Sequence, residues 1–112
     1  MPLFDSRLIE QNIEQTRYLA SLIKRNPRLQ LLAPVELNVV CFRYHPRLSD
    51  ESNLDRMNEE ILIRIQEGGV AVSSGTRVSG RFAIRVAVTN HRSTKSDFKL
   101  LLNHVLKLGS DV

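Results

Sequence analysis

The sequence predicts an α+β domain in which three helices cover one face of a mainly antiparallel sheet of about four strands. Three observations carry this prediction. Three long segments repeat apolar residues every three to four positions, the period of a helix with one buried face. Shorter apolar or alternating segments lie between them in the order helix, strand, strand, helix, strand, strand, helix. The last two strand segments meet at Val78-Ser79-Gly80, a connection short enough to demand an antiparallel hairpin. At 112 residues, with 42% hydrophobic and 25% charged, residues 1–112 form one domain with a single core. The first helix, 6–26, leads into a small α+β unit over 28–109.

That first helix is capped by Asp5 or Ser6. Ile9, Ile13, Leu19, Ala20, Leu22 and Ile23 keep its apolar spacing until Asn26-Pro27 stops it. Arg28 to Ala33 suits a short edge strand, because Pro34 removes the backbone donor that would extend pairing. Leu37 to Tyr44 is apolar on both alternating sets, which places it inside the sheet, with Cys41 expected as a buried, inert thiol. His45-Pro46 opens a polar loop, and Ser52 or Asn53 begins a helix with the stripe Leu54, Met57, Ile61 and Ile65. Gly68-Gly69 is the expected left-handed stop. Glu59 and Glu60 point about 100° apart on this helix, so they are solvated side chains rather than an acid-base pair.

Val70 to Val78 is the third strand, with Gly75 as a candidate bulge. Its Ser73-Ser74-Gly75 lacks the glycine and lysine spacing of a phosphate loop. In the fourth strand, Phe82, Ile84, Val86 and Val88 alternate with Arg81, Ala83, Arg85 and Ala87. Small neighbours leave room around Arg85, so its planar guanidinium can meet a carboxylate from a rigid sheet. The competing reading is a solvated arginine on an open sheet face. Thr94 and Asp97 resemble a capping box for the last helix, whose face of Phe98, Leu101, Leu102, Val105 and Leu108 is expected to end at Gly109.

Composition excludes several functions. The net charge of +4 permits nucleic-acid binding, but lysine and arginine are spread along the chain, and the six aromatic residues sit mostly at core positions. No nucleic-acid or membrane partner is expected, and neither a signal nor an anchor is visible, so a cytoplasmic location is the expectation. The single cysteine agrees with a reducing compartment. His45, His91 and His104 share no short ligand spacing and no acidic or cysteine cluster, which leaves no metal site. His91 alone, at the end of the arginine-bearing strand, is a weak candidate ligand contact.

The runs PVELNVVCFRYHP, MNEEILIRIQEGGVAV and GRFAIRVAVTNHRST, in this order and spacing, resemble the C-terminal domain of the group II pyridoxal-phosphate-dependent amino-acid decarboxylases, the aromatic-amino-acid, histidine and glutamate decarboxylase family. The first helix with RYLASLIKRNPRLQLLAPVE fits the segment leading into that domain. The resemblance implies the small domain of an aspartate-aminotransferase-like enzyme, packed on a larger pyridoxal-phosphate-binding domain, acting on an amino-acid substrate and usually homodimeric.

By the same resemblance, the lysine that holds the cofactor follows a histidine, and this sequence contains no His-Lys pair; Lys24, Lys95, Lys99 and Lys107 all read as helical surface. No catalytic or cofactor-binding residue is therefore expected here, and the chain alone is expected to bind no cofactor and to be inactive. Arg85 matches the arginine that reaches the substrate carboxylate in glutamate-decarboxylase-like members, with Arg81 and Arg92 as neighbouring anion binders. The alternative is a stand-alone interaction or regulatory module derived from that domain.

Overall fold

The computed structural model describes residues 6–35, 38–46, 50–68, 73–88 and 95–111. Helix α1 spans Ser6–Arg25, strands β1 and β2 span Leu29–Leu31 and Val39–Tyr44, and helix α2 spans Glu51–Gly68. Strands β3, Ser73–Val78, and β4, Arg81–Ala87, form the hairpin before helix α3, Lys95–Asp111. The sheet order is β1-β2-β4-β3 and every neighbouring pair is antiparallel. Three helices and a four-stranded antiparallel sheet are thus the predicted architecture.

Alternation decides which face is covered. Val40, Phe42 and Tyr44 of β2 and Ile84 and Val86 of β4 join Leu19 and Ile23 of α1, Ile61 and Ile65 of α2, and Leu101 and Val105 of α3 in one buried core. The opposite residues of each strand form the second face, which none of the described helices covers. Apolar character on both sides of β2 follows from its central place beside β4.

Polar groups fix how α2 meets the sheet. Asn58, fully buried, accepts from the Tyr44 N–H at 2.7 Å and donates to the carbonyls of Tyr44 at 2.9 Å and Leu54 at 2.8 Å. It satisfies the backbone at the end of β2, where an unpaired buried group would be costly. Asp55 accepts from the Phe82 N–H at 3.0 Å and from Arg77 at 3.2 Å, which pins the hairpin to the same helix.

Four sequence expectations change. The cap of α2 is Asp50, whose Oδ1 accepts from the Asn53 N–H at 2.7 Å, so the helix begins at Glu51, before Ser52. Gly75 is no bulge, because β3 and β4 pair without interruption from Ser73–Val86 to Val78–Arg81. A Cβ at Gly75 would lie 2.8 Å from the Phe82 ring, so the glycine makes space for an aromatic side chain. Gly109 does not end α3, which continues to Asp111; it is buried where a Cβ would stand 2.6 Å from the Tyr44 ring. Cys41 is only half buried, because its side of β2 is the uncovered one.

The hairpin turn is tighter than glycine alone required. Both Ser79 (φ 52°) and Gly80 (φ 81°) occupy the left-handed region, as a two-residue turn matching the strand twist needs. Helix α2 runs through Gly68, while Gly69 and the first residues of the expected third strand, 70–72, lie outside the described residues. The Thr94 cap lies outside them too.

Candidate functional site

The uncovered sheet face carries three arginines in distinct settings. Arg43 of β2 pairs in register with Gln30 of β1, and Cys41 of β2 lies directly across from Arg85 of β4. On the other side of Arg85 stands Ser74 of β3. Arg81 occupies the start of the same alternating set.

Arg43 is 1% exposed, and its guanidinium is held at every nitrogen. Nε donates to Gln30 Oε1 at 2.8 Å, Nη1 to Glu51 Oε2 at 2.8 Å and Nη2 to Glu51 Oε1 at 3.2 Å. This two-pronged grip ties the first residue of α2 to the sheet. Glu51 also approaches Arg81, with Nε 3.9 Å away. The Arg43 hydrogen bonds hold the Glu51 carboxyl below the usual carboxylate range, aided by the charges of Arg43, Arg81 and His45 and opposed by desolvation. Arg77, on the helix side, is taken by Asp55 at 3.2 Å and Glu59 at 3.6 Å.

Arg85 differs from all of these. It is exposed, and among the described residues no carboxylate pairs with it. It lines a cleft of about 240 Å³ with Ala33, Pro34, Val39, Cys41, Thr76 and Val78. A guanidinium beside an apolar, uncharged wall is suited to a planar anion attached to a carbon skeleton.

His91 and Arg92 lie outside the described residues. His45 sits at the Glu51 corner, where its backbone N–H donates to the Arg28 carbonyl at 2.7 Å, and His104 is on α3, so among the described residues no two histidines meet at the cleft. No cluster with metal-ligating character exists among the described residues. Sequence reasoning passed over Arg43. Its signal was a charged residue inside the apolar run VVCFRY, on the same alternating set as Cys41, with Glu51 eight residues on.

Among the described side chains, the donor set does not suit pyridoxal phosphate by itself. Lys24, Lys99 and Lys107 are exposed on α1 and α3, which cover the opposite face of the sheet. None is placed to bond an aldehyde held at Arg85.

No protein-family model matches the chain. A tryptophan decarboxylase of Camptotheca acuminata is 28% identical over 109 residues, 93% of this chain and 21% of that protein. The chain spans about one fifth of the length of the curated relatives it matches. Among solved structures, the glutamate decarboxylase domain of a Vibrio parahaemolyticus diaminobutyrate-pyruvate transaminase and L-2,4-diaminobutyrate decarboxylase superposes with a TM-score of 0.84 at 29% identity, covering 95% of this chain and 22% of that one. The Oryza sativa TDC solved with PLP and tryptamine gives the same TM-score at 22% identity, covering 94% and 23%.

Fold and aligned length together define a small α+β unit found within much longer pyridoxal-phosphate decarboxylases. Plant tryptophan and tyrosine decarboxylases are among the relatives it matches, and it spans about one fifth of their length. Matched decarboxylase structures include ones solved with PLP.

Proposed function

We propose that this chain is the C-terminal small domain of a pyridoxal-phosphate-dependent amino-acid decarboxylase and completes the substrate side of its active site. The observation that carries this reading is Arg85, exposed beside an apolar cleft and lacking a carboxylate partner among the described residues. Its guanidinium donates two parallel hydrogen bonds to the substrate carboxylate and fixes that group's orientation. Glu51 serves the rival cations Arg43 and Arg81, so the carboxylate is directed to Arg85. His91, four residues beyond β4 in the sequence, is the second candidate for that ligand.

The cofactor supplies the electron sink for loss of carbon dioxide, and a larger domain, of the same or another chain, supplies the lysine that holds it. That domain packs over the uncovered sheet face, and the whole enzyme is a homodimer. No helix is long and apolar enough to cross a membrane among the described residues, and with a single cysteine we assign the enzyme to the cytoplasm.

The test is release of carbon dioxide from amino acids by the complete enzyme. Arg85→Ala should raise KM by about 10- to 100-fold, the loss of one charge-assisted pair, without disturbing the absorbance of the bound cofactor. Arg85→Lys should recover only part of it, because a point charge lacks the planar fork. An unchanged KM in Arg85→Ala refutes the role.

A further inference from the structure

A second surface, on the helical side, lies outside everything assigned above. From Gln15 to Val35 and from Phe98 to Ser110 the sequence has no aspartate or glutamate, yet it holds Arg17, Lys24, Arg25, Arg28, Lys99 and Lys107. The rest of the chain has 10 basic and 12 acidic residues, so the entire positive excess of the molecule resides in these two segments. The fold brings them together: α1 packs on α3, with the Tyr18 and Phe98 rings 6.4 Å apart.

Between them runs a cleft of about 200 Å³ with a floor of Leu22, Leu29, Leu102 and Leu106. Its rim is polar, formed by Asn26, Asn103 and Lys99. Arg25 adjoins Asn26, Arg28 adjoins Leu29 and Lys107 adjoins Leu106 in sequence, and all three are exposed. None of these four cations makes an ion pair among the described residues. Leu100, beside Lys99, is 56% exposed, a large apolar side chain left outside the core at this edge.

We propose that the α1–α3 cleft docks an acidic amphipathic helix of a partner protein. Leucines of the partner seat on the leucine floor and against Leu100, while its carboxylates meet Lys99, Arg25, Arg28 and Lys107. The shape separates this occupant from the other anionic surfaces. A membrane needs apolar groups that protrude, whereas here they line a concavity with one exception. A nucleic-acid strand needs exposed rings to stack on, whereas Tyr18 is packed against Phe98 and the floor is aliphatic. The cations at Arg25 and Lys107 also complement their helix C-termini, but that role calls for neither a leucine cleft nor two segments free of carboxylates.

The experiment uses the whole 112-residue chain and fluorescence anisotropy. The probe is a labelled helical peptide of about 18 residues, five turns, with leucines along one face and glutamates on the other. Its control replaces each glutamate with lysine. Binding of the acidic peptide that weakens with added salt, and by about tenfold or more in Lys99→Glu with Arg28→Glu, is the expected result. Leu100→Ser should weaken it by about threefold or more through lost apolar contact. All three sites are exposed, so far-ultraviolet circular dichroism should be unchanged. Equal binding of the lysine peptide, no binding of either, or indifference to the charge reversals overturns the proposal. Tighter capture by phosphatidylserine vesicles or a single-stranded oligonucleotide overturns it as well and assigns the surface to lipid or nucleic acid. None of these readouts involves Arg85.

Discussion

Arg43 and Arg85 show how one residue type takes opposite roles on one sheet face. Arg43 is buried and gripped by Glu51 and Gln30, whereas Arg85, two residues along and one strand over, is exposed and has no carboxylate partner among the described residues. Removing Glu51's charge leaves a buried guanidinium without its counter-ion, so Glu51→Gln should lower the urea midpoint while leaving the m-value unchanged. The pH dependence has a definite sign. The folded pKa of Glu51 lies below its ordinary value of 4.5, so its contribution is present above that value and is lost as pH falls through the lower, folded one. The difference in urea midpoint between the native chain and Glu51→Gln should therefore be constant near neutrality and shrink below about pH 4.5. A difference that does not shrink would show that the Arg43 grip rests on geometry rather than charge. The outward position of Arg85 was legible in the sequence because alanines flank it in a clean alternation. The Arg43–Glu51 pair was not, because it joins a strand to a helix around the rim of the sheet, and nothing in local periodicity encodes that path.

At the scale of elements, the two glycines misread from sequence expose the same limit. Gly75 and Gly109 looked like punctuation, yet each makes room for an aromatic ring from another strand or element, Phe82 across the hairpin and Tyr44 of β2. This sets propensity against packing at Gly109. Alanine in a helix is favoured over glycine by about 1 kcal/mol, but its Cβ would meet the 4%-exposed Tyr44 ring at 2.6 Å. Overpacking a closed core costs roughly 1–3 kcal/mol, so Gly109→Ala should destabilise the chain in urea unfolding, and a gain in stability would mean that the ring swings aside. Asn58→Ala should cost more, about 2–4 kcal/mol, because it strips partners from both backbone groups of Tyr44 at once. The Ser79-Gly80 turn offers the converse case. Asparagine tolerates the left-handed region better than serine, so Ser79→Asn should stabilise by a few tenths of a kcal/mol up to about 1 kcal/mol. Order and type of the elements followed from periodicity and turn chemistry; their ends did not, since Asp50 rather than Ser52 caps α2 through a side chain the spacing alone could not select.

For the whole molecule, the decisive property is that the sheet has one covered face and one bare one. Three helices bury the Val40, Phe42, Ile84 and Val86 side, leaving the half-buried Cys41 and the exposed Arg85 on the other, in a unit that spans about one fifth of the decarboxylases it matches. If a cofactor domain packs on that bare face, Cys41 reports it directly, because it is the chain's single cysteine, is half buried and lines the Arg85 cleft. In the 112-residue chain by itself, a water-soluble maleimide should label Cys41 under conditions that preserve the fold. In the complete decarboxylase the same thiol should react at least about tenfold more slowly, since docking buries the face and labelling must wait for local opening. Adding the amino-acid substrate should slow it further if Arg85, directly across from Cys41, takes up the carboxylate. Equal labelling rates with and without the larger domain would place that domain elsewhere and leave the bare face to a partner of a stand-alone module. Protection by the domain with no further protection by substrate would keep the interface and remove Arg85 from the ligand.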